Sequence, residues 1–209
     1  MRSLTFPNVN DANEDGLLAI GGDLSEQCLL LAYRSGIFPW FSEGEPILWW
    51  SPDPRFVLYP DSVRISKSMK KLLRDEVFQV TYNQNFEEVI KQCALAKREG
   101  QDGTWITDEM VVAYVNLHKQ GFAKSVEVWQ DDKLVGGLYG IDLGHIFCGE
   151  SMFSLVSNAS KFGFIKLAQK LAVEKYHLID CQVHTQHLES LGAEMIRRED
   201  FISVIKSKG

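Results

Sequence analysis

The sequence predicts an α+β chain: a small aromatic-rich N-terminal domain, then a larger domain whose mixed, mostly antiparallel sheet is flanked by helices. Apolar residues recur at helical spacing in several separate segments, and after Gly121 the period changes to two and holds over three successive runs. At 209 residues, 45% of them apolar and 24% charged, the chain can bury a full core without disulfide support.

In the N-terminal part, GLLAIGG supplies a short apolar run and a Gly21-Gly22 turn. Asp23 and Glu26 have capping-box spacing, Leu29, Leu30, Tyr33 and Ile37 keep a helical period, and Gly36 can close the helix. No Gly-Lys-Ser/Thr follows the glycine pair, which excludes a P-loop. FPWF and ILWWSPDPR then crowd three tryptophans and two phenylalanines into thirteen positions, among prolines that prevent any helix. No regular element is expected there; the rings either plug a core or offer flat surfaces for stacking. The expected boundary lies near Pro60 to Val63 and divides the chain into 1–62 and 63–209.

Residues 63–74 read as an amphipathic helix. Ile65, Met69, Leu72 and Leu73 form one apolar stripe, while Arg64, Lys67, Lys70, Lys71 and Arg74 lie away from it with no acid between Ser62 and Arg74. The net charge of −6 repels polyanions as a whole, so any nucleic-acid contact must come from such a local patch. A merely solvated face is the alternative.

VFQVTY (77–82) alternates like a strand. Phe86 to Arg98 reads as a helix ended by Gly100, and QDG turns into a second helix running from about Thr107 to Gly121. SVEVWQ, KLVGGLYGI and HIFCGESMF, joined by two Asp-containing turns, form an antiparallel meander. Ser157 or Asn158 caps a long helix, LIDCQV reads as a buried central strand beside the third meander strand, HLESLGA as a helical turn, and FISVI as a closing strand. Two helices, a meander, a long helix, a buried strand and a short helix are the succession of the GNAT acyltransferase fold. That likeness concerns fold and does not establish function.

Asp180 and Gln182 are two apart on a strand and leave the same face. With Glu150 near the end of the neighbouring strand, three acceptor-rich groups converge where an amine or guanidinium could be held; a satisfied polar pair bracing the fold is the alternative. Cys181, His184 and His187 supply too few ligands for a metal, and a thiolate is disfavoured at a core-facing cysteine, so neither metal nor Cys-His chemistry is expected. Cys28, Cys93, Cys148 and Cys181 sit in apolar surroundings with no CxxC pairing, which points to reduced thiols and a cytoplasmic location. No apolar run approaches ~18 residues, so no membrane span is expected. Where a CoA-dependent acetyltransferase carries its Gly-rich pyrophosphate loop, this chain reads SLVSNASKFG, without the glycine pair.

GLLAIGGDLS, AYRSGIFPWF, ILWWSPDPR, GTWIT, GGLYG, FCGESMFS, NASK, LIDCQV and HLESLGA, spread from about residue 16 to 193, together resemble the leucyl/phenylalanyl-tRNA–protein transferase family. The resemblance implies transfer of Leu or Phe (Met less well) from aminoacyl-tRNA to proteins or peptides with N-terminal Arg or Lys, which marks them for degradation. The acyl ester is already activated, so no ATP, CoA or metal is implied, and a monomer is expected. Carried over by residue, Trp40 and Trp105 match positions around the 3′-terminal adenosine; Trp49 joins that aromatic surface or, with Trp50, forms the wall behind it, and core packing is expected for at least one of the two. Leu138, Phe147, Met152, Leu167 and Ile179 match the apolar aminoacyl pocket. Glu150, Asp180 and Gln182 match the polar centre, where Asp180 and Gln182 either relay the amine's proton or, with Glu150, only orient it. Arg64, Lys67, Lys70, Lys71 and Arg74 would grip the tRNA phosphates. A non-catalytic tRNA-binding module and a CoA-dependent N-acetyltransferase are the readings from other classes.

Overall fold

The computed structural model describes residues 4–96 and 104–207. Near the N-terminus β1 (Leu17–Ile20), β2 (Phe38–Pro39) and β3 (Leu48–Trp50) pair antiparallel in the order β1-β3-β2. The tryptophan stretch is therefore part of a regular element, contrary to expectation. Its prolines end β2 or lie outside β3, where no ladder N–H is missed. Helix α1 (Glu26–Arg34) is capped by Ser25, whose Oγ accepts from the Cys28 N–H at 3.3 Å. Asp23, expected as the cap, instead accepts from the Ser25 N–H at 2.9 Å.

The large sheet has seven strands in the order β10-β4-β9-β8-β7-β6-β5. In chain order these are β4 (Arg55–Leu58), β5 (Gln79–Tyr82), β6 (Ala123–Gln130), β7 (Lys133–Asp142), β8 (Ile146–Ser154), β9 (Leu178–Gln182) and β10 (Glu194–Ile196). β6, β7 and β8 are the expected meander, and every ladder is antiparallel except β8–β9, which is parallel. The expected boundary at 62/63 does not coincide with a break in this sheet, because β4, on its N-terminal side, pairs between β10 and β9.

Strand alternation sends successive side chains into two cores. Tyr139 joins Phe86, Ile90 and Tyr114 beneath α3 (Phe86–Leu95) and α4 (Asp108–Lys119), while Leu138 joins Phe162, Ile165 and Ala168 beneath α5 (Ala159–Val173). The expected end of the α3 segment at Arg98 and Gly100, and the QDG turn, lie outside the described residues. Helix α2 (Lys67–Arg74) starts later than expected because the Ser66 Oγ caps it, accepting from the Met69 N–H at 3.2 Å. At α5 the cap position is held by Asn158 in a left-handed conformation, and the Ser154 Oγ takes the Ser160 N–H at 3.2 Å.

A short helix α6 (Gln186–Ser190) precedes β10, and the chain closes with α7 (Arg198–Lys206). The expected strand FISVI is thus a helix. Phe201 and Ile205, four apart, are its buried positions, and Glu199 and Asp200 occupy its first turn. No helix among the described residues is long and apolar enough to cross a membrane.

Candidate active site

The parallel ladder of β8 and β9 pairs Ile146 with Leu178, Phe147 with Ile179 and Cys148 with Asp180, then stops. Just beyond, both strands are irregular. Opposite β7, Tyr139 faces Ser151 and Gly140 faces Gly149, so Glu150 is the extra residue of a bulge. Opposite β4, the register shifts at Phe56/Val57, and Gln182 takes a left-handed φ of 64°. Strand ends that would have continued side by side instead open, and their polar side chains meet across the gap. The Gln182 Nε2 donates to the Glu150 Oε1 at 2.7 Å.

This opening forms one side of a cavity of about 700 Å³. Leu138, Phe147, Met152, Leu167 and Ile179 all line it, so the predicted apolar pocket is assembled from β7, β8, α5 and β9. Gly140 is required beneath it: an added Cβ would lie 2.6 Å from the Phe147 ring and 2.2 Å from the Cys148 carbonyl oxygen. Trp40 and Trp105 also line the cavity. Trp40 is 38% exposed, and its carbonyl is pinned by the Trp50 Nε1–H at 2.7 Å with the two rings 5.7 Å apart. Trp49 is elsewhere. It is 1% exposed, donates its Nε1–H to the Gly21 carbonyl at 2.7 Å and meets Phe6 edge-on, so it fills the core of the small sheet. Alternation along β3 turns Trp49 into that core and Trp50 away from it, toward Trp40.

Glu150 is half-buried and heads a chain of hydroxyls. The Tyr114 OH donates to its Oε2 at 3.3 Å, and the Tyr33 and Tyr114 hydroxyls share a very short hydrogen bond. Burial keeps both phenols protonated well above their ordinary range. Burial also raises the Glu150 pKa from 4.5 to about 7, with the Asp180 charge pushing the same way against the hydrogen bonds from Tyr33, Gln182 and Tyr114. Glu150 can therefore exchange a proton near neutrality.

Asp180 is wholly buried and engaged on both oxygens. The Arg55 Nε–H reaches its Oδ1 at 2.8 Å and the Arg55 Nη2–H its Oδ2 at 2.7 Å, while the Gln182 backbone N–H adds a bond to Oδ1 at 2.9 Å. Arg55, Tyr33 and Tyr114 are the residues that sequence reasoning passed over. Each sits in an apolar run, and nothing local marks a partner 125 positions away for Arg55 or 81 for Tyr33.

The cationic residues do not line this cavity. Lys67, Lys70, Lys71 and Arg74 are exposed on α2, which is anchored by Met69 in the same apolar cluster as Phe147 and Leu167. Arg64 precedes the helix, and its N–H donates to the Leu191 carbonyl at 2.8 Å. Arg74 shares its charge with Asp75 at 2.9 Å. His184 pairs with Glu189 at 3.1 Å, and burial, then Lys161, push the His187 pKa down. The Cys181 thiol is pushed up by burial, away from thiolate chemistry.

Comparison with known proteins agrees over nearly the whole chain. Residues 57–206 match the family described as leucyl/phenylalanyl-tRNA protein transferase, and residues 22–53 match that family's N-terminal domain. The leucyl/phenylalanyl-tRNA–protein transferase of Flavobacterium johnsoniae is 66% identical, with 99% of this chain and 98% of that one covered. The protein of the same name from Flavobacterium psychrophilum is 57% identical, covering 98% and 97%. Among solved structures, a GCN5-related N-acetyltransferase from Kribbella flavida aligns with a TM-score of 0.41 at 10% identity, over 79% of this chain and 59% of that one. The chain belongs to the leucyl/phenylalanyl-tRNA protein transferase family.

Proposed function

We propose that the protein moves leucine or phenylalanine, and methionine less well, from aminoacyl-tRNA to the N-terminal Arg or Lys of proteins, marking them for degradation. It is an aminoacyltransferase, and in this reading it works as a cytoplasmic monomer; its four cysteines are all buried. The observation that carries the proposal is a single cavity in which an apolar slot adjoins the Glu150–Gln182 pair, with Trp40 and Trp105 on the lining.

The aminoacyl side chain enters the slot formed by Leu138, Phe147, Met152, Leu167 and Ile179. Such a slot discriminates one methylene by only ~1–3 kcal/mol, which suits an enzyme accepting more than one apolar residue. The terminal adenine stacks on Trp40 and Trp105, and the exposed cations of α2, with Arg64, hold acceptor-stem phosphates. The acceptor's α-amine attacks the ester carbonyl. An N–C bond forms, the C–O bond to the terminal ribose breaks, and one proton passes from the nitrogen to the departing oxygen. A free amine has a pKa near ~8, so uncharged nucleophile is present at neutral pH, and positioning supplies much of the rate. Glu150 and Gln182 orient the amine and the cationic side chain. Glu150 can also hold the proton in transit.

Purified protein mixed with radiolabelled leucyl-tRNA and an Arg-initiated protein should pass label to the protein, with or without acetyl-CoA. Label remaining on the tRNA would sink the proposal and favour a tRNA-binding module. Acetyl transfer from acetyl-CoA would favour the acetyltransferase.

A further inference from the structure

Arg55 touches no part of the proposed substrate path, yet it is among the largest side chains with no solvent access, at 1% exposed. Its guanidinium lies between the rings of Phe38 and Phe201, 4.7 and 4.6 Å from their centroids, and its Nη1–H reaches the Gly36 carbonyl at 3.3 Å. Gly36 has a φ of 77°, and a Cβ there would strike Ile202 of α7 at 2.3 Å. Three remote segments thus close on one cation of β4: the turn after α1, β9 and the C-terminal helix.

Burying two opposite charges this deeply is costly, and apolar replacements often serve stability as well. What the pair achieves here is geometric. With both Asp180 oxygens taken by Arg55, Oδ1 is aimed at the Gln182 N–H, and this bond closes the left-handed turn that sends the Gln182 side chain to Glu150. An amine reaching Asp180 would first have to displace a bidentate guanidinium.

We infer that Arg55 is a positioning residue for aminoacyl transfer: with Asp180 it forms a charge-neutral strut that sets the Gln182 backbone and so the Gln182–Glu150 pair, and Asp180 carries no proton in the reaction. The inference rests on the transfer activity proposed above. The groups facing Glu150 are Tyr33 of α1, Tyr114 of α4, and Asp180 and Gln182 of β9, with Cys148 and Arg55 behind Asp180.

The test is charge removal in pairs. Arg55→Gln leaves an unpaired buried anion and Asp180→Asn an unpaired buried cation, so each single variant should lose at least tenfold in transfer from leucyl-tRNA to an Arg-initiated peptide. In the double variant Arg55→Gln/Asp180→Asn no charge is stranded, and the Asn oxygen still accepts the Gln182 N–H. The double variant should regain kcat to within about tenfold of the wild type, with the pH–rate midpoint lowered, since the Asp180 charge no longer raises the Glu150 pKa. A folded double variant, shown by thermal melting and leucyl-tRNA binding, that is as inactive as Asp180→Asn would overturn the inference. Should the double variant fail to fold, Arg55→Lys decides, because it keeps the charge but not the two-pronged grip on Asp180. A loss of at least tenfold in kcat with leucyl-tRNA binding retained supports the strut, whereas wild-type kcat would overturn it. An inactive wild-type protein would count instead against the transfer reaction itself.

Discussion

Replacing Glu150 with Gln should make the protein more stable and less active, with a pH dependence that identifies the cause. The folded-state pKa lies at about 7 against an ordinary 4.5, mainly because burial disfavours the charged form. That displacement is worth about 3 kcal/mol at ~1.4 kcal/mol per pKa unit, and water reaching a half-buried group reduces it to about 1–3 kcal/mol. As pH rises from about 4.5 toward 7, the unfolded chain sheds the Glu150 proton while the folded chain keeps it. The unfolded state then binds fewer protons, so stability falls across that window and levels off above it. Glutamine retains one acceptor oxygen and cannot ionise. Urea unfolding at pH 5 should therefore show the variant close to wild type, and at pH 8 more stable by about 1–3 kcal/mol with an unchanged m-value. Transfer should fall by about 10²-fold or more, the usual loss when a positioned acid–base group is removed. Equal stability differences at pH 5 and pH 8 would refute the reasoning, because the burial cost of the carboxylate would then be absent.

Other outcomes follow from the same geometry. Tyr114→Phe removes a hydrogen bond that favours the Glu150 carboxylate, so the pH–rate midpoint should rise above that of the wild type. Trp40→Ala should weaken aminoacyl-tRNA binding by ~1–3 kcal/mol with little change in melting temperature, as expected for an exposed stacking ring. Trp49→Ala, by contrast, should cost about 3–5 kcal/mol of stability, measurable by denaturant unfolding. Changing Lys67, Lys70 and Lys71 together to Gln should reduce the slope of log affinity for tRNA against log salt by about 2–3, read by filter binding across a salt series.

Much of the large sheet was legible because its signals are local. The three runs from Ser125 to Phe153 are rich in strand formers and separated by Asp-containing turns, and the apolar run of LIDCQV reads correctly as a central strand. Shorter segments were misread. In FISVI, five residues carry both a β-branched composition and an i, i+4 pair, and only burial of Phe201 and Ile205 against other segments selects the helix. The tryptophan stretch was set aside as irregular because proline suppressed the strand signal, although Leu48–Trp50 pairs on both sides. Leu138, Phe147, Met152, Leu167 and Ile179 were gathered by resemblance, and the fold brings them to one cavity. The position of Glu150 depends on one extra residue in a strand, a shift that no periodicity detects, and the Arg55–Asp180 contact spans 125 residues.

The aromatic bracket around Arg55 bears on how the molecule matures. One of its walls, Phe201, lies far along the chain from the other, Phe38, and leaves the ribosome well after it. Until that segment docks, a guanidinium meant for a dry niche has one side open. Closure of the niche around the Arg55–Asp180 pair therefore waits on a segment far along the chain from the strand that carries the cation.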